Sequence, residues 1–393
     1  MRIRHTTSKP TLHMAFVALV LLAGSLLVGC EADVVEPTPI PERAERRALL
    51  EDALWKPELS YSRKLLSAYG YESMGWELLD EMNERSGPLR LSDAEALNRG
   101  EPLPLDGFTS VREGDGSLGE TVFNRLPMRG GPWLDWLASK PEHWSAVGLT
   151  LDDNGHAEGL VRYQDAFGES HVAVTCGLCH AGGRGNRQIN LGLARVLWRE
   201  SIGASPGESA TWGKGRIDVT DDGANTPTAI PDLFGLQYAK YLNSSGVIAV
   251  PDLAVLAIRF ETQFILGHSL LERPARDLTA ALADYVLTLR SGTNPSQPPV
   301  AFQTHCGGCH NPDAGFSGGL VPADQLHTDP AVAMGPARGT GFYKVPSLLG
   351  ASIGGPYFHD GSANDFETVL DLHPQSPLSD TERSDILSFL ITL

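Results

Sequence analysis

The stretches Cys176-Gly-Leu-Cys-His180 and Cys306-Gly-Gly-Cys-His310 decide the architecture of this 393-residue chain, because both carry the pattern CxxCH. Two thiols a short turn apart can add to the two vinyl groups of a haem, and the histidine directly after the second thiol can reach the iron from one side. The pattern predicts two covalently attached c-type haems with His180 and His310 as proximal ligands. Cys176, Cys179, Cys306 and Cys309 would form the thioether bonds. The alternative is a zinc site with four thiolate ligands, which the immediate histidine in both copies disfavours.

An internal repeat follows each CxxCH motif. Pro231-Asp-Leu-Phe-Gly-Leu runs to Gly246 with the same spacing as Pro346-Ser-Leu-Leu-Gly-Ala to Gly361, and each copy precedes a helical pattern. The repeat predicts two related domains, 140–291 and 297–393, separated by the Pro-rich segment NPSQPP. Because c-type domains enclose haem with few strands, the expected fold is mainly α, with two cytochrome c-like haem domains and long loops.

The first 29 residues are predicted to be a lipoprotein signal peptide. Basic residues precede an apolar run that is too short to span a bilayer comfortably, and the run ends in Leu-Val-Gly-Cys30. This ending resembles a bacterial lipobox, in which Cys30 is lipidated. A simple signal peptide with an incidental cysteine is the alternative. The prediction is an envelope lipoprotein that faces the periplasm, with the outer membrane as its site because Glu rather than Asp follows Cys30. The lipid would be its only membrane contact.

The region between the signal peptide and the first domain divides into three parts. Residues 30–42 are acidic and Pro-rich, which predicts a flexible linker. An N-terminal extension, 43–139, begins with helical spacing to about residue 80, whereas 87–135 are rich in Gly and Pro and predict long loops. Within the first domain, alternation over 160–175 predicts a hairpin that leads into Cys176.

Composition limits the classes of partner. The chain is 41% hydrophobic with a formal net charge of −17, so it has the apolar content of a folded protein and no basic footprint for nucleic acid. A basic periplasmic redox protein, such as a cytochrome or a cupredoxin, would suit this charge. Alternatively, the acidity serves only solubility.

Residues 140–393 resemble the bacterial di-haem cytochrome c peroxidase and MauG superfamily, with some likeness to di-haem rubber oxygenases. The second domain carries the resemblance through Phe342-Tyr-Lys-Val-Pro-Ser-Leu, Gly355-Pro-Tyr-Phe-His-Asp-Gly-Ser362 and the helix Phe366-Glu-Thr-Val-Leu-Asp-Leu-His373. The family places a sixth iron ligand at the end of that helix, and here this position is His373. The resemblance therefore implies a bis-histidine second haem that only transfers electrons.

Other roles for the histidines of the second domain stay open. His373 could be a helix-end cation that the helix dipole favours. His327 could compete with it for the iron, although its Thr-Asp-Pro neighbourhood predicts a turn. His359 is expected to contact the haem edge or a propionate.

The first haem is expected to differ from the second. Twelve residues after Gly361 stands His373, but twelve after Gly246 stands Ile258, which cannot bind iron. Glu261 and His268 lie nearly above one another on the helix predicted from Asp252 to about Leu271. Either could act as a general acid or base above an open iron. Alternatively His268 binds the iron, or both residues are only surface or salt-bridged groups.

Two functions follow from these alternatives. The favoured one is electron transfer through the second haem to a first haem that reduces peroxide or activates oxygen, a peroxidase-like oxidoreductase. The other is a non-catalytic periplasmic electron-transfer cytochrome with two six-coordinate haems. A haem sensor would need an open first site without an acid or base. Tyr241, Trp198 and Trp212 are candidate aromatics between the haems, and each is more often a core residue.

Overall fold

The computed structural model of the chain describes residues 79–219, 224–249, 253–335, 338–373 and 377–393. All of these belong to one compact unit, Ile40–Leu393. The predicted signal peptide, Cys30, the linker and nearly all of the helical pattern before residue 80 lie outside the described residues. Among the helices described, none has the length and apolar character needed to cross a membrane. The predicted division into domains at 140–291 and 297–393 stays a prediction.

The described residues form eleven α-helices, several of them a single turn or two. In chain order they are α1 Leu91–Asn98, α2 Leu118–Arg125, α3 Pro132–Ala138, α4 Cys176–His180, α5 Leu191–Ser201, α6 Leu253–Gly267, α7 Arg276–Thr288, α8 Val300–His305, α9 Ala331–Met334, α10 Phe366–Leu372 and α11 Asp380–Leu390. Short 3₁₀ turns connect many of them. The predicted mainly helical fold is confirmed at this level.

Thirteen short strands accompany the helices among the described residues. They are β1 Asp80–Glu81, β2 Arg85–Arg90, β3 Thr109–Ser110, β4 Arg129–Gly130, β5 His156–Gln164, β6 Ser170–Val174, β7 Arg216–Ile217, β8 Thr228–Ala229, β9 Tyr241–Leu242, β10 Ile248–Ala249, β11 Glu272–Arg273, β12 Leu320–Pro322 and β13 Phe342–Lys344. Four sheets are two-stranded pairs, and one has five strands in the order β3-β2-β5-β6-β4.

The predicted hairpin forms the centre of the five-stranded sheet. β5 and β6 pair antiparallel with Leu160 opposite Val174 and Gln164 opposite Ser170. Because side chains alternate along a strand, Leu160 and Val174 enter the largest apolar cluster, whereas Tyr163 lies in a small cluster of its own on the other face. β2 and β3 come from before residue 139, so the N-terminal extension and the first predicted domain share this sheet.

The prediction of long loops over 87–135 is wrong for much of that segment, since α1 and α2 lie within it and α3 begins there. α2 begins where the Ser117 side chain accepts a hydrogen bond from the Glu120 amide, and it packs closely on α7. A methyl group on Gly119 would lie 2.1 Å from the Ala281 carbonyl oxygen. Gly119 is thus the residue that lets these two helices approach closely.

The two copies of the internal repeat fold alike, which confirms that the repeat is structural. A glycine precedes a three-residue 3₁₀ turn in both, at Leu236–Tyr238 and at Ala351–Ile353. Matching positions then adopt left-handed backbone: Asn243 and Phe358 both have φ of 61°, and Gly246 and Gly361 have φ of 66° and 69°. Leu242 faces Ile248 across a bridge as Tyr357 faces Ala363.

Candidate haem sites

The first CxxCH motif is the short helix α4, which follows directly on β6. Gly159 of β5 lies against it so closely that a Cβ there would be 2.3 Å from the Leu178 Cα. Cys176 packs against the cluster formed by α2, α6 and α7, whereas Cys179 packs against the cluster beneath the sheet. The hairpin therefore holds the motif between the two main apolar clusters.

His180 is oriented by the repeat that follows it. Its Nδ1 lies 3.0 Å from the carbonyl oxygen of Pro231, the first residue of the repeat. Burial lowers the pKa of His180 to about 4, so the ring is neutral and Nδ1 donates its hydrogen to that carbonyl. Nε2 is then left with its lone pair, which is the state of an imidazole that binds a metal.

His310 repeats this arrangement in the second copy. Its Nδ1 lies 2.8 Å from the Phe316 carbonyl oxygen, and burial again lowers its pKa to about 4 although hydrogen bonds to the Phe316 and Pro346 carbonyls act in the opposite direction. Pro346 begins the second repeat, as Pro231 begins the first. The Nδ1 of each predicted proximal histidine is thus held by a backbone carbonyl, that of Pro231 for His180 and that of Phe316 for His310.

The four thiols of the two motifs are free cysteines. Burial raises the pKa of Cys176 and of Cys179 to about 12 and that of Cys306 to about 11. In the part of the chain that the structure describes, the cysteines form no group of three or more potential metal ligands within mutual reach. A zinc site shared by both CxxC pairs is therefore not supported, whereas two separate thiol pairs fit two haems.

His373 faces His310 at the end of α10. The two ring centroids are 6.1 Å apart with 45° between the ring planes. Bonds from metal to imidazole nitrogen are about 2 Å long, so two imidazoles on opposite sides of one iron need a separation close to the observed one. The donor set and the spacing therefore fit a haem iron, since imidazole is among its usual axial ligands.

The loop before α10 places an aromatic ring beside His373. His359 and His327, the other histidines considered for the second haem, have different surroundings. Phe358, in left-handed backbone, stacks on the His373 ring at 6.4 Å. His359 stacks on Tyr343 at 3.8 Å, and its Nε2 lies 2.8 Å from the Asp329 carbonyl oxygen. His327 is exposed.

Glu261 and His268 form ion pairs or hydrogen bonds with residues of other elements. Glu261 is fully buried, and its Oε1 lies 3.3 Å from Arg276 Nε on α7. His268 Nε2 lies 2.9 Å from the Pro127 carbonyl oxygen, and its Nδ1 lies 3.4 Å from a Glu272 carboxylate oxygen. Both ring nitrogens of His268 therefore have protein partners. This arrangement matches the salt-bridged alternative and does not direct either group to an iron.

Ile258, the residue that matches His373 in the repeat, packs with Leu242 and Ile248 in one apolar cluster. Phe260 of α6 packs against this cluster and also against the cluster that includes Phe264 and Cys176. The position of Ile258 as the counterpart of His373 stays a prediction.

Phe234, a residue without a predicted role, packs between the segment after the first CxxCH motif and the second copy of the repeat. Phe234 is 2% exposed, and a Cβ on Gly183 would lie 2.8 Å from its ring. A Cβ on Gly350 of the second copy would lie 2.6 Å from the same ring. Gly183 and Gly350 thus make room for the ring. Gly183 lies just after the first CxxCH motif and Gly350 just after the start of the second repeat, and these positions were the signal in the sequence.

The three aromatics that sequence analysis favoured have different surroundings. Trp212 is buried and donates from its indole nitrogen to Asn225 Oδ1 at 2.8 Å. Tyr241 belongs to β9, and Trp198 lies on α5. The contacts of Phe234 join Gly183, just after His180, to Gly350 of the second copy.

Comparison with known proteins gives one characterised relative. The chain is 28% identical over 275 residues to the methylamine utilization protein MauG of Methylorubrum extorquens, with 56% of this chain and 72% of MauG covered. The chain is similar to MauG over these residues. The resemblance to the MauG and di-haem cytochrome c peroxidase superfamily is thereby confirmed. At a coarse level, the kinship with MauG supports c-type haem and an oxidoreductase role.

Other comparisons add little to the kinship with MauG. No protein-family model matches the chain. Two solved structures align with 17% identity over 56% of this chain: hydrazine synthase of Kuenenia stuttgartiensis, with a TM-score of 0.35 and 81% of that chain covered, and a MauG-like protein associated with microbial copper homeostasis, with a TM-score of 0.32 and 83% covered. Superpositions at these scores carry no argument about the fold.

Proposed function

We propose that this protein is a di-haem c-type redox protein of the bacterial cell envelope, with a bis-histidine second haem that transfers electrons. The observation that carries the proposal is the opposed pair of imidazoles, His310 and His373, with centroids 6.1 Å apart beside Cys306 and Cys309. A haem held in this way would supply reversible one-electron transfer.

The residues around the pair prepare it for that role. The Phe316 carbonyl holds the Nδ1 hydrogen of His310, which fixes the ring orientation and makes Nε2 a better electron-pair donor. Phe358 stacks on the His373 ring and restricts its rotation. With both axial positions taken by protein side chains, an external ligand would be excluded from this site.

Electrons would pass between the sites along the segment that contacts both. Pro231 holds His180 through its carbonyl oxygen, and Phe234, three residues later, is packed between Gly183 and Gly350. This contact supports Phe234 as the aromatic between the sites, in place of Tyr241, Trp198 or Trp212.

The first site, with His180 as proximal ligand, would be the place where peroxide is reduced or oxygen activated. MauG kinship supports an oxidoreductase, and the proposal extends it to this chemistry. Glu261 and His268 remain candidates for the acid or base, but both are engaged with other elements, Glu261 with Arg276 and His268 with Pro127 and Glu272. That observation favours the second candidate, an electron-transfer cytochrome without catalysis.

The location and partners belong to the same proposal. A lipidated Cys30 would tether the protein to the membrane on the periplasmic side, and the net charge of −17 would favour a basic cytochrome or cupredoxin as redox partner.

The test is the spin state of each ferric haem in the purified holoprotein, measured by EPR and optical spectroscopy with and without cyanide. We expect one low-spin haem that is inert to cyanide and one haem that binds it. Two low-spin haems, inert in both the oxidised and the half-reduced protein, would rule out the catalytic form and leave the electron carrier. A protein without covalent haem would overturn both.

A further inference from the structure

Three potential metal ligands converge at the tip of the β5–β6 hairpin, away from the CxxCH motifs. We call Asp165, Glu169 and His171 the hairpin cluster, and one ligand atom from each lies within 4.8 Å of the others. His171 Nε2 is 3.5 Å from Asp165 Oδ2 and 3.9 Å from Glu169 Oε2. An imidazole nitrogen and two carboxylate oxygens thus surround one point.

A fourth residue, outside the cluster, sets the orientation of the imidazole. Asp135 on α3 accepts from His171 Nδ1 at 2.9 Å through one oxygen and from the Val172 amide at 2.8 Å through the other. The backbone bond anchors the carboxylate, and the carboxylate holds the hydrogen on Nδ1. Nε2, on the opposite side of the ring, faces the two acidic side chains. Metal-binding histidines are typically oriented by a carboxylate in this way.

The turn also prepares Asp165. Its Oδ1 accepts from the amides of Phe167 and Glu169, both at 2.9 Å, and Gly168 supplies the left-handed backbone with φ of 80°. Oδ1 is therefore committed to the turn, whereas Oδ2 points to His171. Glu169 has a side chain that is 77% exposed, so it can close on an ion without disturbing the fold.

The chemistry of the three donors selects the class of ion. Calcium and magnesium are bound by oxygen ligands, whereas this cluster also offers an imidazole nitrogen. One imidazole with two carboxylates suits a divalent first-row transition metal, with water in the remaining positions. A dication would also offset the concentrated negative charge of Asp165, Glu169 and Asp135.

We propose that the hairpin cluster is a binding site for a divalent transition-metal ion such as zinc, held by Asp165, Glu169 and His171 and oriented by Asp135. The site is independent of the haem motifs and of the proposed electron transfer.

The experiment is equilibrium dialysis of the purified holoprotein, without a histidine tag, against zinc chloride, with metal measured by mass spectrometry. We expect one zinc ion in the wild type and its loss in His171→Ala. Glu169→Gln changes only an exposed side chain and is expected to weaken binding without affecting folding. Asp135→Asn is expected to weaken it by about 10- to 100-fold, the usual effect of losing a carboxylate that orients a ligand.

His156→Ala is the matched control. His156 begins the same β5 strand and pairs with Asp152 at 3.0 Å, with a similar exposure, but it is not part of a converging ligand group. We expect it to bind zinc like the wild type. Binding that is absent from the wild type, or equal in wild type, His171→Ala and Glu169→Gln, would overturn the proposal and leave His171 as a protonated partner of its carboxylates.

Discussion

The ring centroids of His310 and His373 lie 6.1 Å apart, although His310 ends a CxxCH motif and His373 caps the end of a helix far along the chain. Their approach depends on Phe316, whose carbonyl orients the first ring, and on Phe358, which stacks on the second. The pairing of these two rings gives the proposed electron-transfer site its most direct test.

Replacing His373 by Ala should convert one low-spin haem into a high-spin or water-bound haem and shift its potential, because axial ligand identity sets both. Optical and EPR spectra with a redox titration would measure the change. His327→Ala is the control, since His327 is exposed in the same domain. An unchanged spectrum in His373→Ala would identify another residue as the ligand.

Covalent haem should depend separately on the two thiol pairs. The wild type is expected to carry two haems after denaturation, and the double variants Cys176→Ala/Cys179→Ala and Cys306→Ala/Cys309→Ala to carry one or none, because each pair forms its own thioether bonds. Haem staining and intact mass would count them. A wild-type mass that corresponds to zinc would contradict the assignment.

Glu261→Gln should act on stability and leave ligand binding at the first haem unchanged. The side chain is fully buried against Arg276, and removing one charge of a buried pair destabilises by roughly 3 to 5 kcal/mol. Denaturant unfolding and the rate of cyanide binding would separate the two effects. Glu367→Gln, in an exposed pair with Arg383, is the control and should cost little. Peroxide turnover slowed by about 10² or more, without loss of stability, would restore Glu261 as an acid or base.

Gly119→Ala should weaken the contact of α2 with α7. The added methyl group would meet the Ala281 carbonyl oxygen at 2.1 Å, and overpacking of this kind costs about 1 to 3 kcal/mol. The free energy of unfolding would report it. Gly319→Ala is the control, because a Cβ there meets no atom within 4 Å. Equal stabilities of the two variants would contradict the close packing.

The capping box of α11, formed by Ser379 and Glu382, should stabilise the fold more at neutral pH than in acid. Hydrogen bonds from the Ser379 side chain and amide, with a further one from His305, lower the pKa of Glu382 to about 2. A carboxyl group whose pKa is lower in the folded state stabilises above its ordinary pKa of 4.5, and this contribution is lost as the pH falls toward 2. Glu382→Gln should therefore lower the free energy of unfolding at pH 7 more than at pH 3. A pH-independent difference would contradict the assignment.

Local patterns in the sequence predicted several elements correctly. Alternation predicted the hairpin that became β5 and β6, and helical spacing predicted α10 with His373 at its end. The repeat predicted two segments of like conformation, and both show the same left-handed positions. These features depend on neighbours within a few residues, so the chain order is sufficient to identify them.

Local sequence patterns did not predict the contacts between distant segments. Helical phase put Glu261 and His268 on one face of the predicted helix, but α6 ends at Gly267. The partners of the two side chains, Arg276 and the Pro127 carbonyl, come from other elements.

The sequence by itself determined the two CxxCH motifs, which predict covalent haem, and the duplicated frame, because CxxCH spacing and the repeat are properties of consecutive residues. Only the tertiary structure decided which side chains meet: His310 with His373, Phe234 between two glycines, and Asp135 with His171. The physical reason is that the partner of a buried or converging polar group is chosen by packing among segments far apart in the chain, and no local period records that choice.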